Sequence, residues 1–154
     1  MLNTSIDMKK NALFVLILIT LFGCKNDCSD YACFTPPPVF NFELLDKSTG
    51  ENLFSNGTLN PDEILAFDEE NKRVNVRFIS ENNINLINLS EIGWYLGAHT
   101  YKLIVAPDLE INIELDMEKK NENCCTYFDV LNFQVLNYEF STSNTTEIIT
   151  VLIP

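Results

Sequence analysis

The segment that most constrains the fold of this chain is residues 109–117. Apolar and polar side chains alternate there without a break, and the polar positions are mainly carboxylates. Successive side chains of a β-strand point to opposite faces, so this pattern predicts a strand with one buried and one solvated face. The predicted buried positions are Leu109, Ile111, Ile113, Leu115 and Met117.

Weaker forms of the same two-residue period recur between turn signals along the rest of the chain. Helical periodicity is absent after residue 24, apart from residues 60–63, which we expect to be a single helical turn or a loop. Residues 119–123 are expected to form a turn. The pattern predicts an all-β domain over residues 39–154, a single β-sandwich (immunoglobulin-like or transthyretin-like) of about 7–9 short antiparallel strands.

The first residues of the chain have the features of an export signal. Lys9 and Lys10 precede an apolar run over residues 12–22, which is interrupted only by Thr20. This run is shorter than the roughly 20 residues that cross a bilayer core, but it fits the apolar region of a signal peptide. Translation from Met1 and translation from Met8 both agree with this interpretation.

The end of the apolar run resembles a lipobox. Leu21-Phe22-Gly23-Cys24 places a small residue before a cysteine, although Phe22 is larger than the residue usual there. With Thr35-Pro36-Pro37-Pro38, Phe40-x-Phe42 and the segment 49–54, the chain is similar to small uncharacterised lipoproteins of Bacteroidetes-type bacteria. The resemblance implies that residues 1–23 are a removed signal peptide and that Cys24 carries palmitate-type acyl chains.

The same resemblance implies a location. Lys25, rather than Asp, follows Cys24, which among lipoproteins favours the cell outer membrane; the side of the membrane, periplasmic or surface-facing, stays open. The membrane is then a partner through the acyl chains. Residues 24–38 are expected to be a tether that contains Cys28, Cys33 and a proline-rich spacer.

Four further cysteines predict disulfides. An even number of cysteines in an exported chain favours disulfide bonds over zinc, for which the single histidine and the spacings are unsuitable. A bond between the adjacent Cys124 and Cys125 would be strained, because bonded cysteines usually have Cα atoms about 5.5 Å apart. We therefore expect at least one long-range bridge from Cys28 or Cys33 to Cys124 or Cys125.

Charge and motif content exclude several classes of function. A net charge of −12 argues against nucleic acid as a partner, because phosphate binding requires clustered basic side chains. His99 is the sole histidine and lies outside any nucleophile motif, so we predict no enzyme, no cofactor and no metal. Asp46 to Gly50 is better explained as a tight turn than as a calcium loop.

The leading functional hypothesis is a lipid-anchored envelope lipoprotein with a non-catalytic binding or structural domain, and an envelope protein or a glycan as possible partner. The alternative is a carbohydrate-binding accessory protein of a surface glycan-uptake system, with Trp94 and Tyr95 as a stacking platform. Such rings more often pack in a core or a loop, so a fully buried Trp94 would exclude the alternative. An enzyme would require a pocket lined by His99 and a carboxylate.

Overall fold

β-Strands make up most of the residues that the structure describes, as the alternating sequence predicts. The structure, a computed structural model, describes residues 33–81, 84–122, 124–143 and 147–154. The predicted signal peptide, Cys24 and Cys28 lie outside these ranges. Within them, the secondary structure is all-β apart from two short 3-10 helices, Pro61–Glu63 and Ile92–Trp94. None of the helices described is long and apolar enough to cross a membrane.

The described residues contain eleven strands, more than the predicted 7–9. They are β1 (Cys33–Phe34), β2 (Asn41–Asp46), β3 (Leu65–Asp68), β4 (Arg73–Val74), β5 (Arg77–Glu81), β6 (Ile84–Asn88), β7 (Gly97–Ala106), β8 (Leu109–Glu122), β9 (Cys125–Val135), β10 (Glu139–Thr142) and β11 (Ile148–Ile153). The additional strands include β1 and β4, of two residues each, which are too short to show a period in the sequence.

The strands form two sheets, and these are not wholly antiparallel. One sheet has the order β1-β9-β8-β7-β3-β4 and the other has β10-β11-β2-β6-β5. The pairs β1–β9 and β11–β2 are parallel, so the prediction of antiparallel strands alone is wrong. Parallel neighbours need a long connection, and here most of the chain lies between β2 and β11. Alternation cannot reveal this, because it is the same in both kinds of pair.

The alternation of β8 is confirmed by burial from Ile111 onward, whereas the predicted Leu109 is only partly buried against the same core. Ile111 and Ile113 are 0% exposed and Leu115 and Met117 are 1% exposed, whereas the polar residues between them are partly exposed. The buried side chains of β8 belong to one cluster with Phe42, Leu44 and Val151 of the other sheet. The core therefore contains side chains from the apolar faces of both sheets.

The prediction of a turn at residues 119–123 is wrong for residues 119–122, because β8 continues to Glu122. Residue 123 lies outside the described residues. At its end the strand pairs with the start of β9, in the register Glu122 opposite Cys125. Lys120 bridges Glu118 and Asp129, which adds ion pairs to the backbone ladder. Cross-strand contacts thus keep a polar sequence with turn character in the extended conformation.

The other two local predictions hold. Residues 60–63 form a single helical turn, Pro61–Glu63, in which the side chain of Asn60 accepts a hydrogen bond from the N–H of Asp62. Asp46 Oδ1 accepts hydrogen bonds from the N–H groups of Ser48 and Thr49 at 2.8 and 2.9 Å. Asp46 therefore directs a tight turn, as expected.

The two sheets differ in length. β8 has 14 residues, about 46 Å of extended chain, whereas β2 has six residues, about 20 Å. The shorter sheet therefore covers only part of the inner face of the long β8–β9 hairpin. At the far end, rings from residues 33–40 and from the 3-10 helix Ile92–Trp94 contact Phe128 of β9 instead.

Candidate ligand-binding face at the end of the long hairpin

A disulfide joins the start of the described chain to the end of the hairpin. Cys33 of β1 is bonded to Cys125 of β9, with Cα atoms 4.7 Å apart and a sequence separation of 92. This is a long-range bridge of the kind that the sequence predicts. Cys124 is disulfide-bonded as well, and Cys28 lies outside the described residues.

The proline segment packs on the domain instead of forming a free spacer. The N–H of Thr35 donates to the carbonyl of Thr126 at 2.9 Å, and Pro37 is buried. A Cβ added at Gly93 would lie 2.8 Å from Cβ of Pro37 and 3.1 Å from the carbonyl oxygen of Pro38. The segment expected to be a tether is therefore part of the folded body from Cys33 onward, and glycine at position 93 permits this close approach.

Three rings meet beside the disulfide, and we call Phe34, Trp94 and Phe128 the ring cluster. Phe34 stacks on Trp94 with ring centroids 6.1 Å apart, and Phe128 meets the Trp94 ring edge-on at 5.4 Å. Trp94 is 50% exposed and Phe34 is 56% exposed. The burial of Trp94 that would exclude carbohydrate binding is not observed. Phe34 and Phe128 were not expected here, because only the fold brings them to Trp94.

Tyr95 belongs to a different group of side chains. Its ring is 49% exposed and lies 6.2 Å from the ring of His99, centroid to centroid. Trp94 and Tyr95 therefore contact different ring groups. Tyr95 lines a cleft of about 240 Å³ next to β3, β4 and β7. We call this the cleft, and its lining residues are Asp68, Glu69, Glu70, Lys72, Arg73, Val74, Glu91, Tyr95, His99 and Tyr101.

His99 is held at both ring nitrogens. Nδ1 lies 2.8 Å from Oε1 of Glu69, and Nε2 lies 3.0 Å from the carbonyl oxygen of Leu96. The other oxygen of Glu69 accepts from the N–H of Thr100 at 2.9 Å. Because both neighbours of the ring are acceptors, the protonated imidazolium satisfies them best.

The hydrogen bond with Glu69 raises the pKa of His99, and the same bond lowers the pKa of Glu69. A cleft with His99 and a carboxylate is what an enzyme would require. The nitrogen that Glu69 does not hold, Nε2, is directed at the carbonyl of Leu96 and not at a hydroxyl or thiol. Glu69 and His99 are 30 positions apart, and no pattern in the sequence indicates that they meet.

The cleft contains both donors and acceptors. Lys72 and Arg73 line it, and neither forms an ion pair within the described ranges. Glu91, which directly precedes the 3-10 helix Ile92–Trp94, supplies a carboxylate to the same cleft. Burial raises the pKa of Tyr101 to about 12, so its hydroxyl stays neutral. The cleft therefore presents hydrogen-bond donors and acceptors side by side.

Comparison with known proteins adds no identity to this geometry. No protein-family model, no curated protein and no solved structure matches the chain. Across the residues that the structure describes, no three His, Cys, Asp or Glu side chains are grouped so that they could hold a metal ion.

Proposed function

We propose that the chain is a lipid-anchored lipoprotein of the bacterial cell outer membrane, attached through acyl chains on Cys24. The Cys33–Cys125 disulfide is the observation that carries this proposal. Disulfides persist in oxidising compartments, such as the bacterial envelope, and are rare in the cytosol. The signal-like residues 12–22 and the Leu21-Phe22-Gly23-Cys24 segment supply the matching export route.

The anchor is tested by metabolic labelling. Cells that express the full chain and receive labelled palmitate incorporate the label into this protein, and Cys24→Ser abolishes the label and leaves the precursor uncut. Cys28→Ser serves as the matched control and retains the label. Label that survives the substitution at Cys24 contradicts the proposal.

The domain itself acts, in this proposal, as a non-catalytic binding or structural module built as a β-sandwich. Two features support it: the engagement of both His99 nitrogens, and the core shared by the two sheets. Activity against chromogenic esters, phosphates and glycosides provides the test. Turnover that is lost in His99→Gln would overturn the non-catalytic function.

The second candidate is carbohydrate binding, and the cleft is the observation that favours it. Tyr95 presents half of its ring there, and sugar rings stack on aromatic faces while their hydroxyl groups bond to charged side chains. Arg73 and Glu91 line the same cleft and supply a donor and an acceptor. Tyr95 is better placed than Trp94 for this role, since Trp94 already stacks on Phe34.

A glycan array separates the two candidates. Carbohydrate binding predicts a signal that Tyr95→Ala removes and Trp94→Ala lowers to a smaller extent. Tyr127→Ala, a ring on β9 outside the cleft, provides the matched control and leaves the signal unchanged. An array on which the wild-type protein binds nothing removes the carbohydrate candidate and leaves the lipoprotein proposal standing.

A further inference from the structure

The ring cluster and its surroundings form an apolar surface at the start of the described chain. Phe34 and Trp94 are about half exposed, although they stack on each other. Val39 and Val130, 39% and 40% exposed, border a neighbouring apolar groove together with Pro38. Phe128 links the two parts, because it lies two residues from Val130 on the same strand and so on the same face.

We propose that this surface rests in the interfacial region of the membrane that holds the protein. The inference depends on the proposed lipid anchor. Trp and other amphipathic rings are enriched where hydrocarbon meets headgroups, because one part of the ring is apolar and its N–H still reaches water. A half-exposed Trp beside a half-exposed Phe has this character.

Chain length fixes where the surface lies. Cys33 follows Cys24 by nine positions in the sequence, and nine residues of fully extended chain span at most about 30 Å. The disulfide of Cys33 attaches that end to β9, and Phe34 follows immediately. An anchor at Cys24 would therefore keep the ring cluster within about 30 Å of the bilayer.

Charge determines the kind of contact. With a net charge of −12 the protein gains nothing from anionic headgroups, so apolar insertion must drive the contact. Lys119 lies directly opposite Phe128 in the β8–β9 register and is exposed, which places a cation near the rim of the ring cluster. A purely structural role, in which the rings cover the end of the β8–β9 hairpin, explains why they contact each other. It does not explain why about half of Phe34 and of Trp94 stays exposed.

The sole tryptophan of the chain makes a direct test possible. The full-length acylated protein is reconstituted into phosphatidylcholine vesicles, with and without lipids brominated on the upper acyl carbons. We expect the Trp94 emission to shift to the blue on reconstitution and to fall by roughly half with brominated lipid, as for an interfacial indole. Raised salt leaves the quenching in place, because the contact is apolar.

Two variants sharpen the result. Phe34→Ser weakens the quenching of Trp94, whereas Leu136→Ser, an equally exposed apolar residue outside the surface, leaves it unchanged. The wild-type measurement decides the inference even if Phe34→Ser fails to fold.

Co-sedimentation of protein with vesicles is recorded in the same samples and separates the two proposals. Protein that sediments with vesicles while Trp94 keeps its aqueous emission and escapes the bromine overturns the inference and leaves the anchor intact. Protein that neither sediments nor carries palmitate overturns the anchor and, with it, the inference.

Discussion

The two ends of β8 belong to one continuous strand, but different segments of the chain pack against them. At Ile111 to Leu115 the inner face meets the second sheet, and every apolar side chain there is at most 1% exposed. Toward residue 122 the second sheet no longer covers the hairpin, and a disulfide and the ring cluster lie there instead. Trp94 and Phe34 remain half exposed.

Alternation therefore selects one face of a strand without ensuring that another segment covers this face. Aliphatic side chains suffice where two sheets interdigitate, because each is surrounded by others. Where only short segments reach the sheet, large rings and a covalent bond are needed to hold them. The uncovered end is then the part of the molecule with surface left for a ligand or a membrane.

Loss of the disulfides has the largest expected effect. Reduction opens a loop whose ends are 92 positions apart in sequence, and the chain-entropy model gives about 5 kcal/mol of lost stability for such a loop. Urea unfolding with and without dithiothreitol measures it. Oxidised Cys33→Ala/Cys125→Ala should lie between the two, because Cys124 remains bonded. A loss below about 1 kcal/mol on reduction would mean that the hairpin end holds without the covalent bond.

The second-largest expected effect is the loss of stability when a truncation creates a cavity at the covered end of β8. Ile113→Ala removes a fully buried side chain from between the sheets and should cost about 3 kcal/mol. Val130→Ala is the matched truncation at the uncovered end and should cost less than about 1 kcal/mol, since Val130 is 40% exposed. Urea midpoints provide both values. Equal losses would show that the two ends are equally packed.

Gly93→Ala tests how the proline segment docks and should cost about 2 kcal/mol. The added methyl would meet Cβ of Pro37 at 2.8 Å, so residues 35–38 must shift. Limited proteolysis before residue 39 should accelerate in this variant. Glu91→Ala, in the same turn but exposed, should change neither stability nor cleavage by much; similar behaviour of the two variants would count against the docking.

The smallest effect is the dependence on pH of the His99–Glu69 pair. The pKa of His99 is raised above 6.5, so its contribution is complete below pH 6.5 and is lost as pH rises through the folded value. The pKa of Glu69 is lowered below 4.5, so its contribution is present above pH 4.5 and is lost on acidification. The pair therefore stabilises most between pH 4.5 and 6.5.

Thermal unfolding between pH 5 and 8 measures this contribution. Relative to His99→Gln, the wild-type midpoint should be highest near pH 5 to 6 and should converge toward the variant as pH rises. Both groups are partly exposed, so salt reduces the difference. A difference that does not vary with pH would mean that the pair does not titrate as its hydrogen bonds imply.

The local character of the fold was open to prediction from the sequence. The buried face of β8, the turn at Asp46 and the helical turn at Pro61–Glu63 follow from neighbouring side chains and their own backbone, which the sequence contains. The long-range bridge was predictable in kind, because adjacent cysteines are poor partners for each other. Its exact pair, Cys33 with Cys125, was not.

Tertiary structure alone decided the rest. The parallel pairing of β2 with β11, the extension of β8 through residues 119–122 and the meeting of Glu69 with His99 depend on residues far apart in the chain. The same holds for the separation of Trp94 from Tyr95 into different ring groups. A two-residue period reports which side of a strand avoids water, but the partner that covers that side is fixed only when distant segments pack.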